Sequence, residues 1–75
     1  MTLKPDEAAV LVVCKSTMEP DKFFFALRRS HYSFDNRTHD VTLHGAQEAV
    51  RELGMRADFD TALDELMTEI RTLRH

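Results

Sequence analysis

Cysteine, tryptophan and glycine are scarce in this sequence of 75 residues, which contains one cysteine, no tryptophan and two glycines. Because Cys14 is the only cysteine, there is no internal disulfide, and zinc fingers and ribbons, which need two to four thiolates, are excluded. Two glycines do not make a glycine-rich phosphate loop. So short a chain without a disulfide or a zinc site has a thin core, which favours association with another molecule.

Long hydrophobic runs are also missing. The longest run extends from Ala8 to Cys14, whereas a membrane-spanning helix needs about 20 apolar residues. Asp6 and Glu7 lie near the start, where a signal peptide carries basic residues. We therefore expect no membrane segment and no signal peptide, and a free cysteine without an export signal predicts a cytoplasmic protein.

The composition is that of a globular chain, with 43% hydrophobic and 31% charged residues, and we expect a single domain over residues 1–75. The net charge of −3 does not describe a strongly basic nucleic-acid-binding protein. Bases outnumber acids only locally, over residues 22–39.

The C-terminal segment has apolar residues at helical spacing. The stripe consists of Phe59, Leu63, Leu66, Met67, Ile70 and Leu73. Asp58 is a candidate N-cap, acids follow it, and bases lie near the end, as the helix macrodipole favours. The spacing predicts a helix over residues 59–74.

A second helix is predicted over residues 43–53. Its apolar residues are spaced by three, four and three positions: Leu43, Ala46, Val50 and Leu53. Gly54 then provides the residue that commonly ends a helix in a left-handed conformation.

Two further helices are predicted in the first half, over residues 5–16 and 20–31, because Pro5 and Pro20 each precede an acid, as at helix starts. The result is an all-α bundle of three to four short helices. The alternative is an α+β fold with a strand at residues 8–14, where valines favour an extended chain, and a hairpin near residues 32–43.

Three consecutive phenylalanines are the most informative local feature. Neighbouring helical residues are about 100° apart, so one buried face of a helix cannot accommodate all three. An exposed phenylalanine beside basic residues favours a partner-binding surface. The predicted partner-binding residues are Phe23, Phe24, Phe25, Arg28, Arg29, Tyr32 and Arg37.

The C-terminal stripe also suggests self-association, because part of it approximates a coiled-coil seam. These residues are Leu63, Leu66, Ile70 and Leu73. They predict a possible homodimer, and the alternative is that they pack within their own chain.

Catalytic residues, metal ligands and cofactor-binding motifs are not predicted. Cys14 lies in the apolar run and is expected to be buried and unreactive, and His31, His39 and His44 form no known zinc pattern. The sequence therefore predicts a non-enzymatic protein–protein interaction module, a small regulatory, adaptor or inhibitor-like protein. The alternative is a nucleic-acid-binding regulator that uses the basic turn at residues 28–37.

Overall fold

The computed structural model describes residues 2–74 and contains three strands followed by one helix. The elements are β1 (Glu7–Lys15), β2 (Phe23–Asp35), β3 (Asp40–Arg56) and α1 (Phe59–Thr72). The strands form an antiparallel sheet in the order β1-β2-β3, so each strand pairs with its neighbour in the chain. The helix lies against one face of this sheet.

The predicted all-α bundle is wrong, because residues 5–16, 20–31 and 43–53 lie mainly in strands. The valines of β1 favour an extended chain, and a strand accommodates consecutive phenylalanines by placing alternate ones on opposite faces. The strand at residues 8–14 and the hairpin near residues 32–43, which the alternative proposed, correspond to β1 and to the β2–β3 connection.

The two proline-containing segments that predicted helix starts are turns. After Pro5, the Glu7 N–H donates to the Lys4 carbonyl at 2.9 Å. Near Pro20, the Lys22 N–H donates to the Glu19 carbonyl at 2.9 Å. Proline fixes a backbone angle that suits turns as well as first helical turns, so its presence does not distinguish them.

β-Bulges in β3 explain why helical spacing was misleading there. The register with β2 leaves Val50 and Leu53 as additional residues without a direct partner. Gly54 has a φ of 71°, the left-handed conformation that some bulges require of glycine. Each inserted residue interrupts the period of two, so buried apolar residues recur after three positions. Gly54 therefore belongs to a bulge and does not end a helix.

The predicted C-terminal helix is confirmed, and α1 ends two residues earlier than expected, at Thr72. Asp58 occupies the N-cap position but makes no side-chain capping bond. Its carboxylate instead accepts two hydrogen bonds from Arg56, at 2.9 and 2.7 Å. Within residues 2–74, no helix is long and apolar enough to cross a membrane.

The core lies between α1 and the sheet. Phe25 and Leu27 of β2 are fully buried against Ala62 and Leu66 of α1. Partly buried residues surround this centre: Ala9, Leu11, Phe23, Val50, Leu53, Phe59, Leu63, Ile70 and Leu73. Packing of apolar side chains is the main contribution that holds the helix on the sheet.

An aromatic cluster fixes the start of α1. The Phe59 ring lies 5.0 Å from Phe23 and 5.3 Å from Phe25, measured between ring centroids, and both contacts are edge-to-face. Such contacts add about 0.5–1.5 kcal/mol to the free energy gained from burial.

Ion pairs connect α1 to β3. Arg51 lies 2.6 Å from Glu65 and 3.3 Å from Glu69, while Arg56 lies 3.6 Å from Glu65. These groups are partly exposed, so each pair contributes at most about 1 kcal/mol. Their contribution is mainly to the position of α1, because they hold it on the β3 side of the sheet.

The β2–β3 hairpin extends beyond the end of β1, which begins opposite His31. We call residues 32–43, which include the turn at 36–39, the hairpin arm. In this turn the Asp35 carboxylate accepts the Arg37 N–H at 2.8 Å, and the Asp35 carbonyl accepts the His39 N–H at 2.8 Å. Most of the arm is exposed.

We expect Leu66→Ala to lower the free energy of unfolding by about 2–5 kcal/mol, because it leaves a cavity between α1 and the sheet. Urea denaturation followed by circular dichroism measures this change. Thr68→Ala, at an exposed position of the same helix, is the control and should change stability by less than about 0.5 kcal/mol. Equal effects of the two substitutions would contradict the described packing.

Candidate functional site

The face of the sheet opposite α1 is covered by no other element of the described chain, and we call it the open face. Phe25 and Leu27 point towards α1, so the side chains that alternate with them point away. Residues directly opposite on neighbouring strands share a face. The open face thus contains Val10, Val12 and Cys14 of β1, Phe24, Ala26, Arg28, Tyr32 and Phe34 of β2, and Val41, Leu43, Glu52 and Met55 of β3.

Most of this face is apolar and partly accessible. Val10, Val12 and Phe24 are half-buried, while Leu43 and Met55 are each 41% exposed. Ala26, which lies among them, is fully buried. Exposed apolar side chains of this kind are found at interaction sites of folded proteins.

One end of the open face forms a depression of about 640 Å³. Cys14, Phe24 and Met55 line it together with the loop at residues 15–19. Met18 lies in this loop and is 91% exposed. Methionine is flexible and polarisable, and it commonly occupies surfaces that adapt to a partner.

A hydroxyl group organises the loop beside this depression. The Ser16 side-chain oxygen accepts the N–H groups of Met18 at 3.2 Å and Glu19 at 3.0 Å. The Ser16 N–H donates to the Lys22 carbonyl at 3.1 Å. These bonds define the backbone that presents Met18, although its side chain has few neighbours.

The structure separates the three predicted phenylalanines. Phe25 is fully buried in the core, and Phe23 packs against it and against Phe59 on the α1 side. Phe24 alone lies on the open face. The exposed aromatic ridge expected from residues 23–25 is therefore reduced to one half-buried ring.

The predicted basic residues are also separated. Arg28 lies on the open face, 3.9 Å from Glu52, whereas Arg29 lies on the α1 face, 2.6 Å from Glu48 and 4.0 Å from Glu7. Arg37 lies in the turn of the hairpin arm. Of the seven predicted partner-binding residues, Phe24, Arg28 and Tyr32 share the open face.

The four residues predicted for self-association pack within their own chain. Leu66 is fully buried, and Leu63, Ile70 and Leu73 contact the same core. Their stripe is therefore the surface by which α1 attaches to the sheet. A dimer would need another surface.

His31, His39 and His44 lie on the exposed β2–β3 hairpin and do not converge. His31 Nδ1 is 2.9 Å from an Asp6 carboxylate oxygen, and His44 Nε2 is 2.8 Å from the Ser33 oxygen. His39 is in the turn with a φ of 60°. Across residues 2–74, no group of three potential metal ligands is found.

Ser33 and His44 resemble, as a pair, the start of a nucleophilic site. Both are exposed, however, and neither lines the depression beside Met55. Nucleophilic catalysis also requires a group that orients the histidine and a position for the substrate. The observed contact connects β2 to β3 and supplies neither.

The sequence interpretation missed several residues of the open face, notably Met55, Val10, Val12 and Cys14, and it missed Met18 in the loop beside the depression. Cys14 was expected to be buried, and it is exposed, because it lies on an edge strand at the uncovered face. If residues 8–14 are treated as a strand, successive side chains alternate between two faces, and both faces are apolar. A chain with few helices cannot cover both faces of such a strand completely.

A comparison of the chain with protein-family models, with curated proteins and with solved structures found no match. The functional argument therefore depends on the residues and geometry described above.

We expect Arg29→Gln to raise the pKa of Glu48. In the wild type, the hydrogen bond from Arg29 and then its charge hold the Glu48 pKa below its usual value of 4.5. A lowered folded-state pKa means that the pair stabilises the fold above pH 4.5, and that this contribution is lost as the pH falls through the folded-state pKa. NMR titration of the carboxyl carbon measures the change.

Asp58 provides the internal control for this titration. Its pKa is lowered by the hydrogen bond from Arg56 and should not respond to Arg29→Gln. An unchanged Glu48 pKa would show that the Arg29–Glu48 contact does not persist in solution.

Proposed function

We propose that the protein is a non-enzymatic interaction module whose open face binds the apolar surface of another protein. The observation that carries this proposal is the asymmetry of the sheet, since α1 covers one face and leaves an apolar face accessible. The partner surface that fits is apolar and bears an acidic group placed to meet Arg28. The expected role is that of a small regulatory, adaptor or inhibitor-like protein that occupies this surface of its partner.

The residue types on the open face support protein binding. Aromatic residues, methionine and arginine are enriched at protein interfaces, and aromatic residues and arginine dominate interface energetics. Phe24, Tyr32 and Met55 provide the apolar contacts. Arg28 interacts with Glu52 at 3.9 Å, a distance long enough for a partner's carboxylate to compete for its guanidinium.

Nucleic-acid binding through residues 28–37 receives less support. Arg28 and Arg29 point to opposite faces, and each lies near a glutamate. Phosphate binding requires several bases on one surface and weakens steeply with salt. An electrophoretic shift of nucleic acid at low salt would favour that alternative over the proposal.

The proposal assigns the protein to the cytoplasm. Cys14 is exposed, and a reducing compartment keeps such a lone thiol from forming disulfides with other molecules.

We expect Met55→Glu to weaken partner binding about tenfold or more, because it places a charge within an apolar contact. Immobilised wild-type protein is used to isolate the partner from the host lysate. Isothermal titration of the purified partner then gives the affinity of each variant. Since Met55 is 41% exposed, the substitution should leave the fold intact, which circular dichroism checks.

Thr68→Glu is the matched control, because it adds the same charge at an exposed position of α1. It should bind the partner as the wild type does, and raising the salt concentration should change the affinity little. Equal binding by Met55→Glu and Thr68→Glu would exclude the open face as the site.

A further inference from the structure

Residues 2–6 precede β1 and contact two separate parts of the fold, and we call this segment the strap. At its first end, Thr2 forms a parallel bridge with Arg74, which follows α1, and the Leu3 N–H donates to the Arg74 carbonyl. Leu3 is only 4% exposed, although it lies outside the central buried cluster. A buried leucine and backbone pairing therefore anchor the strap beside the end of α1.

At its second end, the strap contacts the base of the hairpin arm through Asp6. The Asp6 carbonyl accepts the Tyr32 N–H at 3.1 Å, and an Asp6 carboxylate oxygen lies 2.9 Å from His31 Nδ1. Both side chains of the second contact are more than half exposed, so that contact alone is weak. This anchor lies where the sheet narrows from three strands to two.

A hydrogen-bonded turn joins the two anchors. The Glu7 N–H donates to the Lys4 carbonyl at 2.9 Å, and the Lys4 N–H donates to the Glu7 carboxylate at 2.8 Å. Pro5 lies within this turn and has a fixed φ. Because so short and constrained a turn separates Leu3 from Asp6, displacement of one anchor displaces the other.

We propose that the strap detaches from the rest of the fold as one unit, and that its attachment beside α1 holds the base of the hairpin arm in place. Segments with few buried groups open locally without unfolding of the whole domain. Leu3 is the only buried residue of the strap. When the strap detaches, the Tyr32 N–H loses its acceptor and His31 loses its carboxylate partner.

The strap thereby provides a means of regulating the open face. The arm contributes four side chains to that face: Tyr32, Phe34, Val41 and Leu43. Displacement of Leu3, on the α1 side of the sheet, alters how these side chains are held without any contact at the open face. This consequence for partner binding rests on the proposed function, whereas the coupling between the two anchors does not.

Amide hydrogen exchange of the protein alone, followed by NMR, tests whether the strap detaches by itself. The Leu3 N–H and the Tyr32 N–H each donate across a boundary of the strap, so detachment exposes both. Relative to their intrinsic rates, both should exchange about tenfold faster or more than the best protected amides in the centre of β2, whose exchange requires opening of the core. Equal protection throughout would show that the strap opens only when the whole fold unfolds, and would overturn the proposal.

Leu3→Ala removes the buried side chain of the first anchor. We expect it to raise the exchange rate of the Tyr32 amide, at the other anchor, about tenfold or more. The His39 N–H, which donates within the turn of the arm, should exchange at the wild-type rate. An unchanged Tyr32 amide would show that the two anchors are independent.

Phe25→Leu is the control for a general loss of stability. Phe25 is fully buried and lies towards the opposite end of the sheet, where it pairs with Val13 of β1. The substitution should speed exchange in the centre of β2 and leave the Tyr32 amide unchanged, because the strap detaches without opening the core. A Tyr32 amide that responds equally to Phe25→Leu and Leu3→Ala would leave the strap no separate role.

Asp6→Ala tests the coupling in the reverse direction and does not alter the core. The variant keeps the backbone carbonyl that accepts the Tyr32 N–H, and it loses the contact with His31. We expect the Leu3 amide to exchange about two- to fivefold faster, the effect of losing an exposed pair.

Glu19→Ala is the matched control for Asp6→Ala, because it removes an exposed carboxylate from the pair with Lys22 in the turn before β2. It should leave the exchange of the Leu3 amide unchanged. The same rate for the Leu3 amide in Asp6→Ala and Glu19→Ala would contradict the coupling, and it would leave the binding experiment with Met55→Glu unaffected.

Discussion

The rest of the structure depends on the contact between α1 and one face of the sheet. A three-stranded sheet has two faces, and the helix of 14 residues is large enough to cover one of them. Phe25, Leu27, Ala62 and Leu66 form the buried centre of this contact. Because α1 packs against this face, the other face keeps half-exposed apolar side chains. The open face is therefore a direct consequence of how the core is built.

The sequence predicted α1 because its apolar stripe has the period of a helix and its charges suit the macrodipole. The spacing favoured helices where the strands lie, for a different reason in each, although the α+β alternative included a strand at residues 8–14 and a hairpin near residues 32–43. β1 is apolar on both faces and lacks a clear period. β2 begins at a proline-containing turn that resembles a helix start. The bulges of β3 produce a step of three positions between Val50 and Leu53. The partner-binding prediction was limited in the same way, since alternation separates Phe24 from Phe23 and Phe25.

At the two edges of the sheet, a local sequence feature has a different structural meaning from the one that its spacing favoured. Gly54 was interpreted as a helix end, yet in β3 its positive φ belongs to a bulge that disturbs the edge. The apolar run of β1 favoured a buried helix, yet it forms a strand whose pairing with β2 is continuous. In both cases the sequence pattern is compatible with a helix and with a strand. Its structural meaning depends on the strand that pairs with it, and sequence spacing alone does not specify that strand.

The hairpin arm has a consequence for motion. Beyond His31 the sheet narrows from three strands to two, and two-stranded ribbons are only marginally stable in water. Gly45 lies where the β2–β3 register is disturbed at the base of the arm. Amide hydrogens of the arm should therefore exchange with solvent well before those of the centre of β2. The arm therefore lacks both the third strand and the helix that pack against the rest of the sheet.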